Sequence, residues 1–105
     1  MSRVNEVYLV VHNCQHAKKK AIIKAAKKVW PFEDDVVDLP ILKSPGLKLS
    51  HLEMRGDGNL CGGATAKALA KDIAKAVFKA NGGEKCFITI NIKDLDASGD
   101  DFTFN

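Results

Sequence analysis

The chain is short of most of the features that advertise a function. It has one Trp, one Tyr and five Phe in 105 residues, and its three cysteines, Cys14, Cys61 and Cys86, are odd in number and irregular in spacing. That spacing excludes a disulfide framework and fits a reducing compartment. No apolar run is longer than the five residues Val7 to Val11, so no segment reads as a membrane-spanning helix. The opening residues lack the apolar stretch of a signal peptide, which predicts a cytoplasmic or nuclear protein rather than a secreted one, with no membrane partner. There is no P-loop, no G-x-G-x-x-G with its acidic partner, no H-E-x-x-H and no nucleophile elbow. The acidic turn Asp94, Asp96, Asp100, Asp101 does not have EF-hand spacing. Nothing in the sequence calls for a cofactor.

Negative charge is also missing from particular stretches. Residues 1–31 hold seven basic and one acidic side chain, and residues 61–93 hold six and two. Residues 32–60 hold three basic and six acidic groups, and residues 94–105 hold four acids and no base. The basic blocks coincide with the segments of helical periodicity. Concentrated basic charge is a footprint for nucleic acid, and equally a solvated helix surface.

The remaining patterns give a fold class. Glu6 to His12 is rich in β-branched and aliphatic residues with both parities apolar, which predicts a central strand. His16 to Trp30 has apolar residues at Ile22, Ala26, Val29 and Trp30, the period of a helix, with Asn13 as its N-cap and Pro31 as its stop. Residues 31–46 hold all three prolines and read as a long connection with one short edge strand near 36–39. Leu47 to Arg55 reads as a strand, Gly56 to Gly63 as a turn-rich loop, and Ala64 to Asn81 as a second helix striped by Ala66, Leu69, Ala70, Ile73 and Val77. Lys85 to Lys93 alternates cleanly, and Asp101 to Asn105 reads as a short return strand. The expectation is one α/β (α+β) domain over 1–105. It is a two-layer sandwich with two helices on one face of a mixed four- to five-stranded sheet. Its topology is βαβαββ, or a split βαβ of ferredoxin-like type if residues 36–39 pair fully.

Three sets of residues could carry chemistry. Gly62, Gly63 and Thr65, in the loop 56–65 before the second helix, form a potential anion-binding loop. Cys61 in the same loop is a potential nucleophile if a base among His12, His16 and His51 reaches it. His12, Cys14, His16 and Cys61 are a tetrahedral metal set in composition, though not in the spacing of a zinc motif, so no metal is expected.

Gly62, Ala64, Lys67, Ala68 and Leu69 stand in a Gly-x-Ala-x-x-Lys-Ala-aliphatic pattern, and Val7 to Val11 leads into a basic helix. In these pieces the chain resembles the Alba family of small basic DNA- and RNA-binding proteins. The resemblance implies a βαβαββ fold and a DNA or RNA partner, bound with little sequence preference. Lys18, Lys19, Lys20, Arg55 and Lys67 would then contact phosphates. The alternatives kept open are a small-ligand or thiol-dependent enzyme built on the glycine loop and Cys61, and a structural or protein-interaction domain, with a second copy of the chain as a further partner.

Overall fold

A computed structural model describes residues 3–43, 47–60, 65–83, 86–94 and 99–104. The element order is β1 (Arg3–Gln15), a 3-10 turn (His16–Lys18), α1 (Lys19–Val29), β2 (Val37–Lys43), β3 (Leu47–Leu60), α2 (Ala66–Ala80), β4 (Phe87–Asp94) and β5 (Asp100–Phe104). The five strands form one sheet in the order β2-β3-β1-β4-β5, and every pairing is antiparallel. The expected two-layer α+β sandwich is the architecture observed. The sheet is antiparallel throughout rather than mixed. Residues 37–43 pair along their whole length with β3, which makes the ferredoxin-like alternative the correct one and removes the βαβαββ order. Two split βαβ units interlock: β3 lies between β1 and β2, and β1 lies between β3 and β4.

Alternation along the strands assigns the two faces. Val7, Leu9 and Val11 of β1, Leu52 and Met54 of β3, and Ile88, Ile90 and Ile92 of β4 are buried under the helices. They meet Ile22 and Ala26 of α1 and Leu69, Ile73 and Val77 of α2 in one continuous core. Complete burial of a Leu or Ile side chain contributes roughly 1.5–3 kcal/mol, so these rows dominate the stability of the fold. The opposite face of the sheet carries no helix among the described residues.

Local sequence explains where the elements end. Trp30 precedes a proline, which drives it to extended backbone, φ −144° and ψ 144°, and stops α1. Thr65 caps α2, its Oγ1 accepting from the Ala68 N–H at 3.1 Å. Gly82 and Gly83, at φ 75° and 81°, close its other end, with the Gly83 N–H reaching back to the Phe78 carbonyl at 2.9 Å. Asn81 is buried there and accepts two hydrogen bonds from Gln15, from its backbone N–H at 3.1 Å and its side-chain amide at 3.2 Å, tying α2 to the end of β1.

Asn13 does not cap a helix. It stands inside β1 at φ 56°, where the register with β3 slips between Val11 and Cys14. Asn tolerates the left-handed region better than most residues, so it accommodates the extra residue of a bulge. The helical run after it starts with a 3-10 turn, and neither Gln15 nor Lys18 caps it with a side chain.

The loop expected at Gly56 to Gly63 is also corrected. β3 continues to Leu60, and Gly56 and Gly58 are strand residues on the helix face. A methyl group at Gly56 would sit 2.4 Å from the Pro31 carbonyl oxygen, and one at Gly58 would sit 2.9 Å from the Trp30 ring. These glycines let the segment Trp30–Phe32 lie flat on the sheet, where the indole N–H donates to the Gly56 carbonyl at 3.0 Å.

Candidate functional site

The uncovered face of the sheet is where reactive side chains gather. On the two central strands, Tyr8, Val10 and His12 of β1 lie beside Arg55, Glu53 and His51 of β3. Phe87 of β4 is paired with His12, while Val37 and Leu39 of β2 are paired with Glu53 and His51. The Tyr8 hydroxyl donates to Glu53 Oε1. The other carboxylate oxygen of Glu53 is 3.9 Å from His51 Nε2. The rings of His51 and His12 meet edge-on at 4.8 Å, and His12 meets Phe87 at 5.0 Å. The result is an unbroken row of titratable groups, Tyr8–Glu53–His51–His12, across two strands.

Its electrostatics follow from its neighbours. The hydrogen bond to Glu53 holds the Tyr8 proton and raises its pKa above the ordinary 10, with partial burial adding to the effect and Arg55 opposing it. Desolvation lowers the pKa of His12, and the adjacent His51 lowers it further against the opposing charge of Glu53, which favours the neutral imidazole. At the Tyr8 end the row opens into a hollow of about 160 Å³ lined by Tyr8, Glu33, Asp35, Val37, Glu53 and Arg55. The Glu33 N–H donates to the Arg55 carbonyl at 2.8 Å, so the acidic segment after Phe32 is fastened at the rim. Such a site offers a carboxylate that accepts protons, a phenol that donates one, and a guanidinium that can hold an anionic group.

The residues singled out from sequence are dispersed. Lys18 lies against Gly82 at the C-terminal end of α2, whereas Lys67 is in the first turn of that helix, about 20 Å away along its axis. Lys19 is ion-paired to Asp38 at 2.6 Å, and Lys20 is exposed. Arg55 is on the other face of the sheet from all of them. The metal set is divided as well. His12 is on the uncovered face with His51, while Cys14 is buried under the helices, its thiol donating to the Ser50 carbonyl at 3.3 Å. His16 Nδ1 is 2.7 Å from Ser50 Oγ. Among the described residues no three His, Cys, Asp or Glu side chains form a metal-binding group. Cys61, Gly62 and Gly63 lie outside the described residues. Thr65 is occupied as the helix cap. Burial raises the pKa of both Cys14 and Cys86, the latter to about 11, so neither is a thiolate at neutral pH.

No protein-family model matches the chain, and no curated protein sequence matches it. Two solved structures of a phage SAM lyase are similar to it. The apo form has 10% sequence identity and a TM-score of 0.48, over 99% of this chain and 90% of that one. The complex with S-methyl-5′-thioadenosine has 11% identity and a TM-score of 0.47, over 100% and 92%. Neither name is that of a nucleic-acid-binding protein, and the nucleic-acid-binding function expected from the sequence is set aside. The geometry is consistent with the correction. β2 breaks the βαβαββ order, and the five residues expected on phosphates occupy both ends of the helix layer and the opposite sheet face.

The row Tyr8–Glu53–His51–His12 was missed by sequence reasoning. Its members are 39 or more positions apart across the two strands, and only the β1–β3 register joins them. The available signal was the polar parity of Leu47 to Arg55, where His51, Glu53 and Arg55 alternate with Leu52 and Met54.

Proposed function

We propose that the protein is an enzyme of small molecules that works on the uncovered sheet face, with Glu53 as proton acceptor and Tyr8 as proton donor. The observation that carries this is the Tyr8–Glu53 hydrogen bond at the mouth of a hollow that also holds Arg55. An acid and a base that share a proton and both reach one cavity are the minimum for proton-transfer chemistry on a bound compound. Arg55 would orient an anionic group of the substrate, and Val37 would supply an apolar wall. The thiol alternative rests on Cys61, which lies outside the described residues, and neither Cys14 nor Cys86 stands in for it, since burial keeps both protonated.

A panel of metabolites tests the reading. S-adenosylmethionine and S-methyl-5′-thioadenosine, suggested by the names of the similar structures, are its first two members, though the reading rests on the cluster and not on that likeness. Binding is mapped by amide chemical shifts and turnover by product analysis. Shifts are expected at Tyr8, Glu53, Arg55 and Val37. Glu53→Gln and Tyr8→Phe are expected to fold normally and to lose turnover by about 10²- to 10⁴-fold, the usual contribution of a general acid or base. Undiminished turnover by Glu53→Gln would sink the proposal.

A further inference from the structure

We infer that the trough between α1 and α2 is a docking site for an acidic amphipathic helix of a partner protein. Ala21 and Ala25 of α1 and Ala76 and Ala80 of α2 line a groove of about 520 Å³ on the outer side of the helix layer. Each pair is four residues apart and so stacks along one side of its helix. Methyl side chains at all four positions let a third helix approach closely, toward the short end of the usual interaxial range of about 8–10 Å.

The rim fixes the chemistry of the occupant. Lys24, Lys28 and Lys79 border the groove, and among the described residues none of them is in an ion pair. Lys19 and Lys27, outside the groove, are neutralised by Asp38 and Asp34. The groove is therefore apolar at its base and cationic at its edges. Its complement is a helix with a seam of small or medium apolar residues flanked by Glu or Asp.

Two other occupants fit less well. A second copy would bring like charges together, because Asp72 is the only acidic residue in either helix. A bilayer would need large apolar side chains to insert. The exposed ones among the described residues, Tyr8, Val37, Leu39 and Phe87, all stand on the opposite sheet face.

The test uses a fluorescein-labelled helical peptide of about 18 residues, with a Leu/Ala seam and Glu flanks, long enough to hold a helix when bound. Anisotropy is read at about 50 mM and 500 mM salt. Ala25→Trp with Ala80→Trp fills the groove without changing its charge, and Lys24→Glu with Lys28→Glu and Lys79→Glu reverses the rim. Ala25→Gln with Ala80→Gln replaces the Trp pair if circular dichroism shows that the latter perturbs the fold. Vesicles of phosphatidylcholine with phosphatidylserine, and a 20-base-pair duplex, run in parallel. Both the filled and the reversed variants are expected to weaken peptide binding by about tenfold or more, since each removes one of the two features that define the groove. Vesicle and duplex binding should be indifferent to the Trp pair. The inference is overturned by absence of peptide binding at low salt. It is equally overturned by peptide binding that ignores the Trp pair, or by vesicle or duplex binding that the Trp pair abolishes.

Discussion

Single residues decide this fold where backbone meets backbone. Gly56 and Gly58 show no left-handed conformation; what they lack is a Cβ, and the space is filled by Pro31 and Trp30. Gly56→Ala must move a backbone carbonyl that is only 2.4 Å from the new methyl. We expect it to cost about 2–4 kcal/mol in urea denaturation, the range of overpacking that the backbone cannot relieve. Gly99→Ala, whose nearest contacts are 3.2–3.3 Å, serves as the comparison and should cost well under half as much. Asp38 gives a residue-scale prediction in pH. The hydrogen bond from Lys19 holds its carboxyl below the ordinary value, with partial burial working against it. A carboxyl depressed in the folded state stabilises the fold above its unfolded pKa, about 3.9, and that contribution is lost as pH falls through the folded value. Asp38→Asn should therefore be destabilised by about 0.5–1 kcal/mol at pH 7, as suits a pair whose side chains are each 27% exposed. The deficit should close on acidification toward pH 3, followed by urea midpoints at successive pH values. Sequence alone does not show why these glycines are needed. Gly-Asp-Gly reads as a turn until the tryptophan that lies on it is located.

Elements differ in how openly the chain declares them. α2 was legible almost to its ends from its 3.6-residue stripe, and the structure adds the threonine cap and the Gly-Gly stop that bound it. Ile73 and Val77 are completely buried on that stripe. Ile73→Asp should cost about 4–5 kcal/mol or prevent folding outright, because the charge has no partner in the core. Thr65→Ala should cost about 1 kcal/mol by removing the cap. Thermal unfolding followed by circular dichroism separates the two. β2 was less legible because Pro40 falls in its middle. Proline lacks an amide donor and is tolerated on an edge strand, which is where β2 lies. The start of α1 was misread because an asparagine three residues before a basic, apolar-periodic run is also what a bulge in the left-handed region selects.

At the scale of the whole molecule, the two-layer architecture was legible and the functional face was not. Hydrophobic period reports which side of each element is buried. It says nothing about which strands are neighbours, and the candidate site exists only because β1 and β3 are neighbours. Tyr8 sits in an apolar strand and Glu53 in an imperfectly alternating one, so neither stands out by itself. The division of labour across the sheet follows from the same topology. Both crossovers pack on one side, which leaves the opposite side free to carry the polar row and the helix side to carry the lysine-edged groove.

The interlocking of the two split units has a consequence for how the protein comes into being. β1 leaves the ribosome before either of its partners, β3, up to 57 positions later, and β4, up to 89 positions later. Until residues 88–92 have emerged, one edge of the most apolar strand, Val7 to Val11, lacks its partners in the finished sheet. A nascent chain stalled before β4 presents that edge to whatever is nearby, the condition under which strands recruit other chains. The central position that makes β1 secure in the finished protein makes it the most exposed segment during synthesis, and folding must wait for contacts that span nearly the full length of the chain.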